Sequence, residues 1–284
     1  MDAQKKLERL QAVLSDYGRV AVAFSGGTDS AFLLKAAHDV LGDNVIALTA
    51  ASCTLPRREL EDAKAFCKRE GVRQILVDPR ELESDAFRTN PPDRCYHCKH
   101  RIFSAFRDTA SEQGFDIVAD GANVDDTGDY RPGMRATAEL GVQSPLRDAG
   151  LTKADIRALS RAWGLSTWDK PSSACLATRV AYGEPITAEK IGRIDRAEAF
   201  LQDLAFRQVR LRVHGDLARI EIAPELFPAL LSRREEIVSE CRALGFSYVT
   251  MDLTGYRVGS MNETLSACKV PPPSPGEGLC AQCH

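Results

Sequence analysis

The sequence predicts an α/β chain, with a parallel sheet wrapped by helices over residues 1–180, a smaller α+β domain over 181–268 and a flexible tail over 269–284. Three observations carry this. Short β-branched runs alternate with helical patterns through the first half, the order that builds βαβ units. After a Pro/Ser/Ala stretch at 171–178 the pattern changes to a long helix and two alternating runs about a Gly-Asp pair. A length of 284 residues also suits about two domains.

In order, the start MDAQKKLERL reads as an amphipathic helix. Strands follow at 20–24, 45–48, 75–77 and 117–119, each brief, apolar and bounded by turn residues. Helical patterns at 28–41, 57–70 and 95–113 separate them. That order puts the ligand crevice at the carboxyl ends of the strands. A further helix starts at Thr152, with Asp155 as a capping-box-like partner, and stops at Gly164. In the second domain a helix at 188–204 leads into VRLRVHGDLARIEI, two strands about a Gly215-Asp216 turn, then a helix at 225–244 and a strand at 246–252. There is no internal repeat, and the Pro/Gly-rich tail lacks the apolar residues to dock.

Composition excludes several classes. With 37 basic against 40 acidic residues the net charge is −3, which gives no bulk attraction to nucleic acid or an anionic membrane. No apolar run approaches a bilayer span, and the start MDAQKKLERL reads as an amphipathic helix rather than a signal peptide. Nine cysteines, an odd number in a chain without a secretory signal, point to the reducing cytoplasm, where clustered thiols mean metal or catalysis more often than bridges. Cys53, Cys67, Cys241 and Cys268 lie singly and read as small core or surface thiols.

The strongest motif is Ser25-Gly26-Gly27-Thr28-Asp29-Ser30, placed where a strand runs into a helix. Two glycines let the backbone approach an anion, the first helical N–H groups point at it, and Ser25, Thr28 and Ser30 add hydroxyls. There is no Gly-Lys-Ser/Thr of a Walker A loop and no G-x-G-x-x-G. The string resembles the PP-loop of ATP pyrophosphatases, which implies a HUP-like domain that grips the β,γ-pyrophosphate of ATP and transfers AMP to a substrate oxygen. A second loop, from Asp120-Gly121 to Gly133, carries four aspartates in ten residues at the end of the fourth strand. It is either a solvated Asx-rich turn or a Mg²⁺-holding loop facing nucleotide phosphates, and its position in a nucleotide fold favours the latter. Gly121, Asp126 and Arg131 are the candidate nucleotide-binding residues here, and Asp29 the candidate Mg²⁺ ligand.

Cys95-Tyr96-His97-Cys98 opens a helical pattern, and Cys175 lies between Lys170 and Arg179. A redox dithiol, half a zinc site, iron–sulfur ligation and three unrelated thiols all fit this pattern. The combination is more specific. Ser-Gly-Gly-Thr-Asp-Ser, Pro92-Asp93-Arg94-Cys95, Asp126 to Gly133, Lys170 to Arg179, Arg210-Leu-Arg212-Val-His214 and Gly255 to Asn262 together resemble the LarE family over roughly residues 5–266.

That resemblance implies an ATP-dependent sulfur transferase of nickel-pincer nucleotide biosynthesis, which converts the carboxylates of pyridinium-3,5-biscarboxylic acid mononucleotide to thiocarboxylates. It implies two possible sulfur sources. Cys175 is either a sacrificial donor or, with Cys95 and Cys98, one of three ligands of a 4Fe–4S cluster carrying the donor sulfide; the extra pair matches the cluster type. The resemblance also implies an active-site role for Glu198, homo-oligomers and transient contact with other proteins of the pathway. Cys280 and Cys283 inherit no role.

Pairing through a Gly215-Asp216 turn sets Arg212 opposite Arg219 and Arg210 opposite Glu221 on one face, with Val209, Leu211, Val213, Ala218, Ile220 and Ile222 on the other. Like charges face each other comfortably only with an anion between them, and the resemblance assigns substrate-phosphate binding to Arg210 and Arg212. A solvated polar face is the plainer alternative. Two other functions remain open at this point: thiolation of a tRNA base, disfavoured by the acidic balance, and a non-catalytic nucleotide-binding module, which leaves the cysteines unexplained.

Overall fold

The computed structural model describes residues 2–128, 132–171, 174–257 and 259–262; Arg131, Cys268, Cys280 and Cys283 lie outside the described residues. The first part of the chain runs α1 (Ala3–Tyr17), β1 (Val20–Ala23), α2 (Thr28–Leu41), β2 (Val45–Ala50), α3 (Arg57–Glu70), β3 (Arg73–Val77), α4 (Asp85–Arg88), α5 (Arg94–Glu112), β4 (Val118–Ala119), α6 (Pro132–Glu139), α7 (Pro145–Asp148) and α8 (Lys153–Ala162). The four strands pair in parallel in the order β3-β2-β1-β4. The chain therefore builds outward from β1 to β3 and then returns to the other side of β1. Its direction reverses between β1 and β4, the place where open parallel sheets bind ligands.

An all-parallel sheet needs both faces covered. Val20 and Val22 point to one side, against Leu7, Leu10 and Leu14 of α1 and Phe32 of α2. Ala21, Ile46 and Leu48 point to the other, against Phe103 and Phe106 of α5. The α8 start carries the expected capping box: Asp155 N donates to Thr152 Oγ1 at 3.2 Å and Thr152 N to Asp155 Oδ2 at 3.0 Å.

The second part comprises α9 (Ala188–Asp203), β5 (Arg210–His214), β6 (Leu217–Glu221), α10 (Phe227–Ser232), α11 (Arg234–Ala243) and β7 (Tyr248–Met251). The β5–β6 pair is antiparallel in the expected register, Arg210 opposite Glu221 and Arg212 opposite Arg219, and β7 adds parallel to β6. Gly215 takes the φ of +57° that a two-residue turn demands. The helix expected at 225–244 is instead two helices. Ser232 Oγ donates back to Ala229 O at 2.7 Å, and Arg233 leaves helical geometry, closing α10 before α11 restarts. The apolar core here gathers Ile191, Ile194, Leu211, Val213 and Ile220, but also Phe87, Leu176, Ala177 and Val180 from earlier in the chain. Among the described residues no helix is long and apolar enough to cross a membrane.

Candidate active site

The phosphate-type loop leaves β1 and enters α2 as the sequence requires. Gly26 has φ +76°, and a Cβ built there would sit 3.2 Å from Ala63 Cβ on α3, so the position needs glycine on both counts. Ser25 Oγ and Ser30 Oγ lie 3.2 Å apart, Ser30 Oγ donates to Gly27 O at 3.2 Å, and Thr28 Oγ1 donates to Thr167 O at 2.7 Å. The first intrahelical bond of α2 is Ala31 N to Gly27 O, which leaves the earlier amides at the helix mouth without an intrahelical carbonyl.

The second loop closes on this one. Gly121 lies so near α2 that a Cβ would meet Ser30 N at 3.0 Å and Ser30 Cα at 3.2 Å. That approach brings Asn123 to Asp29, Nδ2 to Oδ2 at 3.2 Å, while Asn123 N donates to Asp126 Oδ2 at 3.1 Å. Burial, then the neighbouring Asp126 charge, lifts the Asp29 carboxyl above its ordinary value, although Lys153, Arg157 and the Asn123 amide pull the other way. Lys153 Nζ stands 3.3 Å from Asp126 Oδ1. Two carboxylates in one another's field, beside the Ser25–Ser30 loop, are oxygen donors of the kind that suits a hard cation.

Lys170 ties the loop to the cysteine segment. Its amine reaches Glu59 at 2.7 Å, Asp62 at 3.0 Å and Gly26 O at 3.3 Å. Burial lowers its pKa, but the hydrogen bonds and charges of Glu59 and Asp62 outweigh burial and leave it raised. Five residues on, Cys175 is exposed, and Leu176 N donates to Thr54 O at 2.8 Å at the carboxyl end of β2.

The thiols of Cys95, Cys98 and Cys175 share one electrostatic neighbourhood. Although Cys175 is exposed as a residue, desolvation around its thiol raises it above its ordinary value, opposed by hydrogen bonds from Thr54 and the Ala177 backbone and by the Arg94 charge. Cys98 is raised by burial first and then by the charges of Cys175, Glu81 and Cys95. Cys98 and Cys175 are protonated thiols as they stand; once deprotonated by a bound metal, soft sulfur ligands of this kind suit iron and sulfide. The three are not gathered into a ligand cage: among the described residues no three His, Cys, Asp or Glu side chains are close enough to hold a metal ion.

One member of this group is unexpected. Cys53, read from the sequence as a lone thiol, stands beside Glu81, Sγ to Oε1 at 3.4 Å, and within the field of Cys175. Burial and the Glu81 carboxylate push it up to about 12. Its only sequence signal is its place at the end of β2.

Arg179 and Glu198 line a cavity with Glu59, Asp195 and Arg210. Arg179 Nη1 donates to Ala174 O at 2.6 Å and Cys175 O at 3.1 Å, so Glu198, through Arg179, holds the backbone that carries Cys175. Burial and the Arg179 charge press the Arg210 guanidinium below its ordinary value, with Glu198 opposing. Arg212 has a different setting. Its Nε and Nη2 bond Glu221 Oε2 at 3.0 and 2.9 Å, and Arg219 Nη2 reaches Glu221 Oε1 at 3.2 Å. The anion between the facing arginines is therefore Glu221, fully buried and also bonded by Ser260 Oγ at 2.9 Å. Cross-strand repulsion gives no separate argument for a phosphate at Arg212.

No family model matches the chain. The chain is 41% identical, over 93% of its length and 99% of the relative's, to an uncharacterized protein of Synechocystis sp.. It is 38% identical, over 93% of its length and 96% of the relative's, to the pyridinium-3,5-bisthiocarboxylic acid mononucleotide synthase of Lactiplantibacillus plantarum. Over 66% of its length and 64% of the relative's it is 28% identical to one component of the glutamine-hydrolyzing GMP synthase of Thermoplasma acidophilum.

Proposed function

The chain belongs to the LarE family, ATP-utilising enzymes of the PP-loop type, and we propose that it carries out ATP-dependent sulfur transfer to pyridinium-3,5-biscarboxylic acid mononucleotide. The observation that carries this reading beyond the similarity is Lys170, whose amine bonds Gly26 O of the phosphate loop five residues before Cys175. The same segment serves the place where ATP is gripped and the place where sulfur is delivered.

In this reading the α2 amides, Ser25, Thr28 and Ser30 hold the β,γ-pyrophosphate of ATP. A substrate carboxylate attacks the α-phosphorus, pyrophosphate leaves, and the carboxylate becomes an acyl adenylate. Asp29 and Asp126 would hold Mg²⁺, which neutralises phosphate charge when bound. Arg210, with Arg179 across the same cavity, is the better placed of the two predicted arginines to meet the substrate phosphate. Sulfur then displaces AMP at the acyl carbon. Cys95, Cys98 and Cys175 would hold the 4Fe–4S cluster, which supplies the transferred sulfur when bound. The enzyme works as a cytoplasmic homo-oligomer in transient contact with the other proteins of nickel-pincer nucleotide formation. The test is pyrophosphate release in the presence of ATP and Mg²⁺. Release that requires the pyridinium mononucleotide, with a thiocarboxylate product by mass, supports the reading; release that requires tRNA, or no release with either, overturns it.

A further inference from the structure

Arg94 is 3% exposed at the first turn of α5, directly before Cys95. Its guanidinium carries five N–H donors. Among the described residues its hydrogen-bond acceptor is the Asn90 amide oxygen, and its other close partner is the Tyr182 ring, 4.7 Å from the guanidinium carbon. No carboxylate among the described residues pairs with it. An isolated buried charge is costly, and folded proteins keep one where a counter-ion arrives.

The surroundings say where that counter-ion sits. Asn90, fully buried with φ +56°, donates its amide to Val180 O at 3.4 Å and Ala181 O at 2.7 Å. The relay Arg94–Asn90–Val180 thus fastens the guanidinium to the end of the segment that begins with Cys175. The Arg94 charge bears on Cys175 and on Tyr182, and the α5 amides of the same turn add positive potential.

We propose that Arg94 is a carboxylate-binding residue, fastened through Asn90 to the Cys175 segment, which holds the reacting edge of a carboxylate substrate against Cys175. The proposal rests on the sulfur-transfer reading for the identity of that substrate, a pyridinium carboxylate, but not for the anion site itself. Before activation Arg94 pairs with the carboxylate. During sulfur attack on the acyl adenylate it faces the oxygen on which negative charge develops.

The test compares two alkylating reagents that attack the same thiolate, iodoacetate with a carboxylate and iodoacetamide without one. The ratio of their rates at Cys175, measured on the reduced full chain by peptide mass, cancels the thiolate fraction and reports anion capture alone. A charge-assisted contact should raise this ratio about tenfold over that of N-acetylcysteine. Arg94→Gln should return it to the free-thiol value, and Arg94→Lys should keep part of it. The same Arg94→Gln chain should need about tenfold more pyridinium substrate at unchanged KM for ATP. A wild-type ratio equal to that of N-acetylcysteine overturns the proposal even if Arg94→Gln does not fold, and so does a folded Arg94→Gln that keeps the high ratio. Failure of the sulfur-transfer reading shows differently, as absent pyrophosphate release in the wild type with the alkylation ratio intact.

Discussion

Arg179 and Glu198 lock together through two hydrogen bonds of 2.9 Å, Nε to Oε1 and Nη2 to Oε2, with both side chains buried. Glu198 Oε1 also accepts from Leu211 N at 2.8 Å, so one carboxylate joins α9, β5 and the Cys175 segment. Removing one partner of such a pair strands the other charge and costs about 3–5 kcal/mol. Glu198→Gln and Arg179→Met should each lower the unfolding free energy obtained from urea titration by that order, and the double variant by less than the sum. Sulfur transfer should fall in both because the Cys175 backbone loses its anchor, while ATP binding is retained. Equal ATP and sulfur defects would contradict this division.

The close approach of Gly121 to Ser30 predicts a second effect. Gly121→Ala puts a methyl 3.0 Å from a backbone nitrogen that cannot move away without shifting α2. The expected result is a raised KM for ATP and weakened substrate-dependent pyrophosphate release. Asp29→Ala should abolish that release with the far-ultraviolet circular dichroism unchanged, since Asp29 is not part of the apolar clusters and its side chain is tied to the second loop by a hydrogen bond from Asn123. Undiminished release from Asp29→Ala would remove the phosphate-loop assignment.

The sulfur source can be read from mass. If Cys95, Cys98 and Cys175 hold a cluster, serine at any one lowers iron content and activity together, because a hydroxyl replaces a soft thiolate poorly. Added sulfide then sustains repeated turnover, and the protein mass stays constant. If Cys175 is consumed instead, the chain becomes lighter by one hydrogen sulfide per transfer and Cys95→Ser keeps its activity. Intact-protein mass after turnover separates the two.

The parts of this architecture legible in the sequence were those set by near neighbours. The strand–Gly-Gly–helix order fixes the phosphate loop locally, Thr152 and Asp155 cap α8 from three residues apart, and the Gly215-Asp216 turn sets the Arg212–Arg219 register. What escaped depends on long closures. Cys53 meets Glu81 across the end of the sheet, and nothing in either segment announces the other. Glu221 was legible as the partner opposite Arg210, but its carboxylate turns diagonally to Arg212 and Arg219, a choice made by Ser260 arriving from far along the chain. The split between α10 and α11 lay below the resolution of periodicity, since one serine back-bond decides it.

Asp155 gives a pH prediction. Burial acts to raise its carboxyl, but hydrogen bonds from Lys6 and Thr152 win and hold it at about 2, below the ordinary 3.8. A depressed carboxylate stabilises the fold above its unfolded value and loses that contribution as the pH falls toward 2. Asp155→Asn should therefore lower stability by about 1 kcal/mol at pH 7, the order of the charge-assisted hydrogen bonds to Lys6 and Thr152 that a partly exposed carboxylate loses. The gap between variant and wild type should close as the pH approaches 2. A gap that persists in acid would mean that the contribution is not ionic.

Leu176, Ala177 and Val180 are packed into the core of the hairpin unit, and Val180 bridges in parallel to Val213. The segment bearing Cys175 thus belongs, in cooperative terms, to a different folding unit from the Ser25–Ser30 loop. Native-state hydrogen exchange should find the amides around Ala177 opening together with β5 and β6 rather than with β1. Loss of that unit alone would leave a chain that still binds nucleotide but cannot hold its thiol in place, a partly folded state that a nucleotide-binding assay would score as intact.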